Sequence, residues 1–326
     1  MKAFLGTVIA AAAVLASSPG VAQTADKYPS RPVRIVVGFG AGGPADVIAR
    51  LFAQKLGESL QQNFIVENVP GAGGNIAAAR VAKAAPDGYT LHVISTGFIV
   101  NPSLYSRNVG YDPQKDFEPI SMLAASPNVI AVNNNVPAKT ALELVERIRS
   151  QPTGFSYAHP GIGSTPHLNG ELFKLNYKLD QFTAVAFNGV PQMLTSAVAG
   201  DTPVVFSSLP SALPFIKDGK LRPVVVLSRN RSESLPNVPG TVEAGVEGLE
   251  GDTVSGILAP AGTPRQVIDL LNAEIKKAAA LPDMKEKLLG VGFGVVASSP
   301  DEFKARIGTE IARWKRVIDQ SKIRID

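Results

Sequence analysis

Beyond residue 30 the chain alternates two hydrophobic patterns. Short β-branched runs, apolar at nearly every position, suit strands buried on both faces of a sheet. Longer stretches with apolar residues every three or four positions suit helices that bury one side. VRIVVGF, Val33 to Phe39, predicts a first strand, and Val47, Ile48, Leu51, Phe52, Leu56 and Leu60 trace a helical stripe from Asp46 to Leu60. NFIVEN predicts a second strand. A helix follows from about Asn75 to Ala85, stopped by Pro86-Asp87-Gly88, and TLHVIST is a third strand. A βαβαβ unit with right-handed crossovers is the economical arrangement.

A long apolar strand is expected around Ile120 to Val132, interrupted at Ser126-Pro127. A second series comes next: helix Ala141 to Ser150, strand Phe155 to Ala158, helix Pro166 to Asn176, strand Thr183 to Ala186, helix Pro191 to Ala199, strand Pro203 to Ser207, and the strand LRPVVVLS. Thr253 to Leu258 returns as a strand and leads through APAGTP to helices Arg265 to Ala280 and Pro300 to Ser321. No repeat or low-complexity linker separates the halves. The expected fold is α/β and two-lobed, with a parallel-rich sheet in each lobe. Residues 24–126 and 254–326 form one lobe, 127–253 the other, and hinge strands cross near Ser126 and Thr253. A cleft between such lobes is a common ligand site.

Residues 1–23 predict export. Lys2 is their only charge, an apolar run extends from Ala3 to Ala16, and Ser17-Ser18-Pro19-Gly20 break the helix. Small residues at Gly20 and Ala22 suit signal peptidase. The apolar run is too short to span a bilayer comfortably, so the expectation is a secreted signal and a periplasmic protein. The chain has no cysteine, which removes disulfides, thiol chemistry and thiolate metal sites. Loss of Lys2 with the signal lowers the formal charge from +4 to +3. No basic run points to nucleic acid or a membrane surface.

Gly38, Gly40 and Gly43 form G-x-G-x-x-G between a predicted strand and a predicted helix, and Glu67 ends the next strand. The pattern fits a dinucleotide-binding loop. A secreted Rossmann-type NAD-dependent oxidoreductase is therefore the rival reading. Export weighs against it, because soluble nicotinamide cofactors are not normally maintained outside the cytoplasm, and Pro44 occupies the first helical turn. The same glycines also make a tight turn that leaves helix-start amides free for an anion. A second loop of this kind is HPGIGSTPHL, His159 to Leu168. Two such helix starts, one per lobe, would suit a ligand with a carboxylate at each end. No catalytic or metal set emerges: His92, His159 and His167 lack metal-type spacing, G-x-S-x-G is absent, and Ser164 and His167 lie within one helical turn. No enzyme activity, cofactor or metal is expected.

The segment YPSRPVRIVVGFGAGGPADVIARLFAQKLGESLQQNFIVENVPGAGGNIAA resembles the opening of the Bug family, the solute receptors of tripartite tricarboxylate transporters. PDGYTL, NPSLY, FEPIS, GSTPHLNGELFK, LPSALPFIKDGKLRPVVV and LAPAGTP extend the resemblance over the whole mature chain. It implies a type II periplasmic binding protein, a Venus flytrap without catalytic activity, that takes a small carboxylate and delivers it to the membrane subunits of such a transporter. A monomer is expected, and a sensor kinase is a further candidate partner.

In this family the ligand carboxylate is held through the first strand-to-helix loop and the GxGS-like loop. Carried over, these are Phe39, Gly40, Ala41, Gly42, Gly43 and Asp46, and His159, Gly161, Gly163, Ser164, Thr165 and His167. Thr96 and Ser126 are further candidate ligand contacts. Departures from the family pattern mark specificity: His159-Pro160, Phe187-Asn188, Ser207-Ser208, and Phe98 after Thr96-Gly97. Asp46 is expected to order its loop and to pair with Arg50. The two loops carry no other basic residue except histidine, so amides and hydroxyls must meet the anion. An ammonium would lack an acidic partner. The expected ligand is a carboxylate without an amino group, with Phe39, Phe98 and Phe187 favouring an aromatic one.

Overall fold

The computed structural model describes residues 28–105, 109–151, 155–187 and 189–325. The expected secretion signal and Asn188 lie outside these residues. The first lobe opens with β1 (Val33–Val37), α1 (Pro44–Leu60), β2 (Phe64–Asn68), α2 (Asn75–Ala82), β3 (Thr90–Ser95) and α3 (Thr96–Leu104). The long strand β4 (Phe117–Asn133) leads to α4 (Ala141–Ser150), β5 (Ser156–His159), α5 (Thr165–Tyr177), β6 (Thr183–Ala186) and α6 (Val190–Ala199). Then come β7 (Val204–Ser208), α7 (Leu209–Lys217), β8 (Leu221–Val226), β9 (Asp252–Pro260), α8 (Arg265–Ala280), α9 (Pro282–Gly290), β10 (Gly294–Val295) and α10 (Pro300–Gln320).

Local chemistry sets the ends of these elements. Pro44 opens α1, where its missing N–H costs nothing, and Gln61 closes it in the left-handed region at φ 54°. Ser299 and Glu302 cap α10 reciprocally, a capping box. Three helices and a short strand have no counterpart in the sequence reading: α3, α7, α9 and β10. TGFIVNPSL is apolar on every side and contains Pro102, while α7 contains Pro210 and Pro214. α3 is largely buried and shows no clean amphipathic period, because a helix enclosed by protein needs none. α7 buries Leu209 and Ala212 on one side, but its two prolines mask the helix in the sequence.

One continuous sheet runs β2-β1-β3-β9-β4-β7-β5-β6, with β8 and β10 also paired to β4. Pairs β1–β2, β1–β3, β5–β6 and β5–β7 are parallel, whereas β4 and β9 run antiparallel to their neighbours. The expected break at Ser126-Pro127 does not occur. Proline lacks a ladder donor, but Pro127 sits where β4 changes partners: pairing with β9 ends at Pro127–Asp252 and pairing with β7 begins at Asn128–Ser208. The missing N–H therefore falls between two ladders.

The first lobe has apolar cores on both sheet faces, around Ile35, Phe52, Leu91 and Leu271 on one and Val36, Ile94, Phe98 and Phe303 on the other. In the second lobe Tyr157, Phe173, Phe182 and Phe206 pack beneath α5, and Val129, Met193, Leu209 and Ala212 form its other core. The sequence division assigns 254–326 to the first lobe. In the structure α10 serves both: Phe303 and Ile307 pack in the first lobe, Trp314, Val317 and Ile318 in the second. α3 is split likewise, with Phe98 and Ile99 in one core and Val100 and Leu104 in the other.

Candidate functional site

The first glycine loop joins β1 to α1. Space rules out a side chain at Gly38, where a Cβ would lie 2.7 Å from Gly74 Cα. Asp46, in the first turn of α1, is 2% exposed and ties the loop together. Its carboxylate accepts from the Gly42 amide, the Arg50 Nε and the Asn68 Nδ2, each at 2.9 Å. Asn68 also donates to the Phe39 carbonyl at 2.9 Å. Burial would raise the Asp46 pKa, but the hydrogen bonds from Arg50, Gly42 and Asn68 prevail and lower it to about 2. Arg50 is thereby committed to Asp46 and Asn68.

The second loop joins β5 to α5 and rests on two stacked imidazoles. His159 and His167 have ring centroids 4.1 Å apart at 26° and are 1% and 6% exposed. The Gly163 amide donates to His167 Nδ1 at 3.1 Å, and His159 Nδ1 lies 3.0 Å from the Gly161 carbonyl oxygen. Ser164 caps α5, accepting from the His167 amide, and its hydroxyl donates to the Gly161 carbonyl at 2.7 Å. Burial lowers both histidine pKa values, that of His167 to about 3 with help from His159. The pair is neutral at pH 7, and it supports the loop from behind.

Between the lobes lies a cleft of about 890 Å³, within the range of small-molecule sites. The starts of five helices reach it: α1 and α3 from one lobe, α5, α6 and α7 from the other. Their N-caps are Gly43, Ser95, Ser164, Gly189 and Ser208, and only Ser164 makes a side-chain cap. Uncapped helix starts carry free amides and the positive end of the helix dipole, so the cleft favours an anion. Among the described residues no charged side chain lines it. Phe39, Tyr105, Ile162, Val190, Val291, Phe293 and Ile325 supply its apolar surface.

The model of the tripartite tricarboxylate transporter family receptor matches residues 48–323. The chain belongs to this family. BugT of Bordetella pertussis is 32% identical over 98% of this chain and 97% of its own. Among solved structures, Rpa4515 of R. palustris with adipate is 34% identical, with a TM-score of 0.76 over 91% of this chain and 99% of that one. MatC from Rhodopseudomonas palustris with bound malate is 32% identical, with a TM-score of 0.72 over 89% and 100%. These are solute-binding receptors of the periplasmic binding protein fold, and the family is not an enzyme family. The dehydrogenase reading is set aside on that ground. Glu67, which that reading needs at a ribose, forms an ion pair with Arg80 at 2.6 Å.

The receptor brings ten of the residues marked in the sequence onto the cleft: Phe39, Gly40, Ala41, Gly43, Thr96, Gly161, Gly163, Ser164, Thr165 and Ser208. Gly42 is exposed in the same loop, and Asp46, His159 and His167 stand behind the two loops. Phe98 is placed elsewhere: it stacks on Tyr111 at 5.0 Å and packs edge-on to Phe117 in the first-lobe core. Ser126 and Ser207 are fully buried within β4 and β7, and half-buried Phe187 packs on a second-lobe core. Asn188 lies outside the described residues. His92 is 2% exposed within β3, with Nδ1 2.9 Å from the Val36 carbonyl oxygen. Sequence reasoning missed Tyr105, Ile162, Thr253, Val291, Phe293 and Ile325. Ile162 sits inside the quoted glycine loop and Tyr105 ends NPSLY, but no local signal marks Phe293 or Ile325.

Proposed function

We propose that this receptor captures a small carboxylate without an amino group, aromatic or aliphatic, in the periplasm and delivers it to the membrane subunits of a tripartite tricarboxylate transporter. The observation that carries the reading is a cleft into which five helix starts open and which no charged side chain lines among the described residues. Charge-assisted hydrogen bonds from amides and hydroxyls replace the hydration of a carboxylate. Among the described residues that line it an ammonium finds no carboxylate, and an unpaired buried cation is costly. Two relatives whose structures contain adipate and malate support the ligand class. The N-terminal sequence pattern supports export.

Calorimetry and thermal shift on the purified protein test this. The panel contains succinate, adipate, malate, benzoate and terephthalate, with aspartate and glutamate as the matched amino acids. At a hundred times its dissociation constant a ligand adds about 2.7 kcal/mol of stability, so a fit is visible as a shifted melting temperature. Succinate should bind more tightly than aspartate. Preference for the amino acids, or no response to any acid, overturns the reading.

A further inference from the structure

We infer that Tyr105, Ile162 and Ile325 form an apolar end wall of the cleft that selects the uncharged body of the bound acid. The segment following α10 is thereby a specificity element. The inference rests on the carboxylate reading above and adds which end of the ligand the protein discriminates. Three separate parts of the chain meet at this wall. The Ile325 amide donates to the Leu104 carbonyl at 2.9 Å, and Ile325 bridges to Tyr105 in parallel register. That contact fixes the segment against the end of α3. The glycine loop of the second lobe closes onto the same place: a Cβ at Gly163 would lie 2.5 Å from Leu104 Cδ1 and 3.6 Å from Ile325 Cδ1. Ile162, held between Gly161 at φ 141° and Gly163 at φ 78°, is 52% exposed although it belongs to a large aliphatic type.

The position of this wall matters chemically. All three side chains line the cleft, as do the helix starts that favour an anion. A ligand with its carboxylate at those amides leaves its remaining surface to the apolar lining. The three side chains of the wall offer a second carboxylate no donor but the Tyr105 hydroxyl, so one pressed against them loses hydration that they do not replace. A ring or alkyl body gains from burial against the same surface. The wall therefore favours a monocarboxylate with an apolar body over a short dicarboxylate.

The test uses benzoate and succinate as probes, titrated calorimetrically into wild type, Ile325→Ser, Ile162→Ser and Ile65→Ser. Ile162 is already half exposed, so its replacement leaves the fold intact even where Ile325→Ser loosens the segment. Ile65, 51% exposed and outside the cleft, is the control. Wild type should prefer benzoate. Each wall variant should weaken benzoate about ten-fold, equivalent to about 1.4 kcal/mol, and leave succinate within about two-fold, while Ile65→Ser changes neither. Equal losses for both acids, unchanged benzoate binding in Ile162→Ser, or a wild-type preference for succinate overturns the inference and leaves the carboxylate reading standing. Failure of wild type to bind any acid of the panel overturns both.

Discussion

The buried histidine pair gives the receptor a measurable acid sensitivity. His167 is neutral in the fold, where burial and the neighbouring His159 lower its pKa to about 3, while an unfolded chain holds it near 6.5. A histidine whose folded pKa is depressed contributes full stability above its unfolded pKa. That contribution is lost as pH falls from about 6.5 toward 3, because the unfolded chain takes up a proton that the fold refuses. Between pH 7.5 and 5.0 the loss from this residue is about 2 kcal/mol, being roughly 1.5 pH units at 1.36 kcal/mol each. His159 shifts in the same direction. Glu171 acts on His159 and Lys174 on His167. The informative variant is His167→Asn, whose Oδ1 can still accept from the Gly163 amide but does not titrate. Urea unfolding at pH 7.5 and 5.0 should show wild type losing about 2 kcal/mol more than the variant over that interval. All other groups are common to the two proteins, so the difference reports His167 together with its coupling to His159. Equal pH dependence in the two would refute the claim that His167 is held neutral.

Four further outcomes follow from the structure. Asp46→Asn should cost roughly 1–2 kcal/mol in chemical denaturation, because it removes the charge that gathers Gly42, Arg50 and Asn68, and it should weaken succinate binding by loosening the first loop. Gly163→Ala should destabilise by more than 1 kcal/mol, since its φ is 78° and a Cβ would meet Leu104 at 2.5 Å. Gly40→Ala, with nothing within 4 Å of the added carbon, should stay within about 0.5 kcal/mol of wild type. Trp314→Ala should cost about 3–5 kcal/mol, as its ring is 1% exposed and fixes α10 to the second-lobe core.

The errors of the sequence reading have a common physical origin. Spacing within a single element reveals which residues share a face, and so the helical stripe of α1 and the two glycine loops were legible. A loop motif does not reveal which of its side chains turn inward. Phe98 follows Thr96 by two positions, about 200° around a helix. With the Thr96 hydroxyl oxygen accepting from the Val254 amide at 3.1 Å, the phenyl ring is left to the first-lobe core. His159 shares a strand face with Tyr157, two residues earlier, and their rings sit 5.8 Å apart. Its place under the loop follows from that alternation, which the short strand was too brief to advertise. Phe293 and Ile325 reach the cleft by contacts across the fold. Gly292 has no room for a side chain because Pro210 would stand 2.1 Å from its Cβ, and that close approach sets the Val291 and Phe293 side of the cleft against the start of α7. At the other side Gly163 approaches Leu104 and Ile325 in the same manner. The anion-favouring surface is built from backbone at local motifs and is readable. The wall inferred to discriminate among acids takes Ile162 from a legible loop, but its junction with Tyr105 and Ile325 is made across the fold and shows in no single window along the chain.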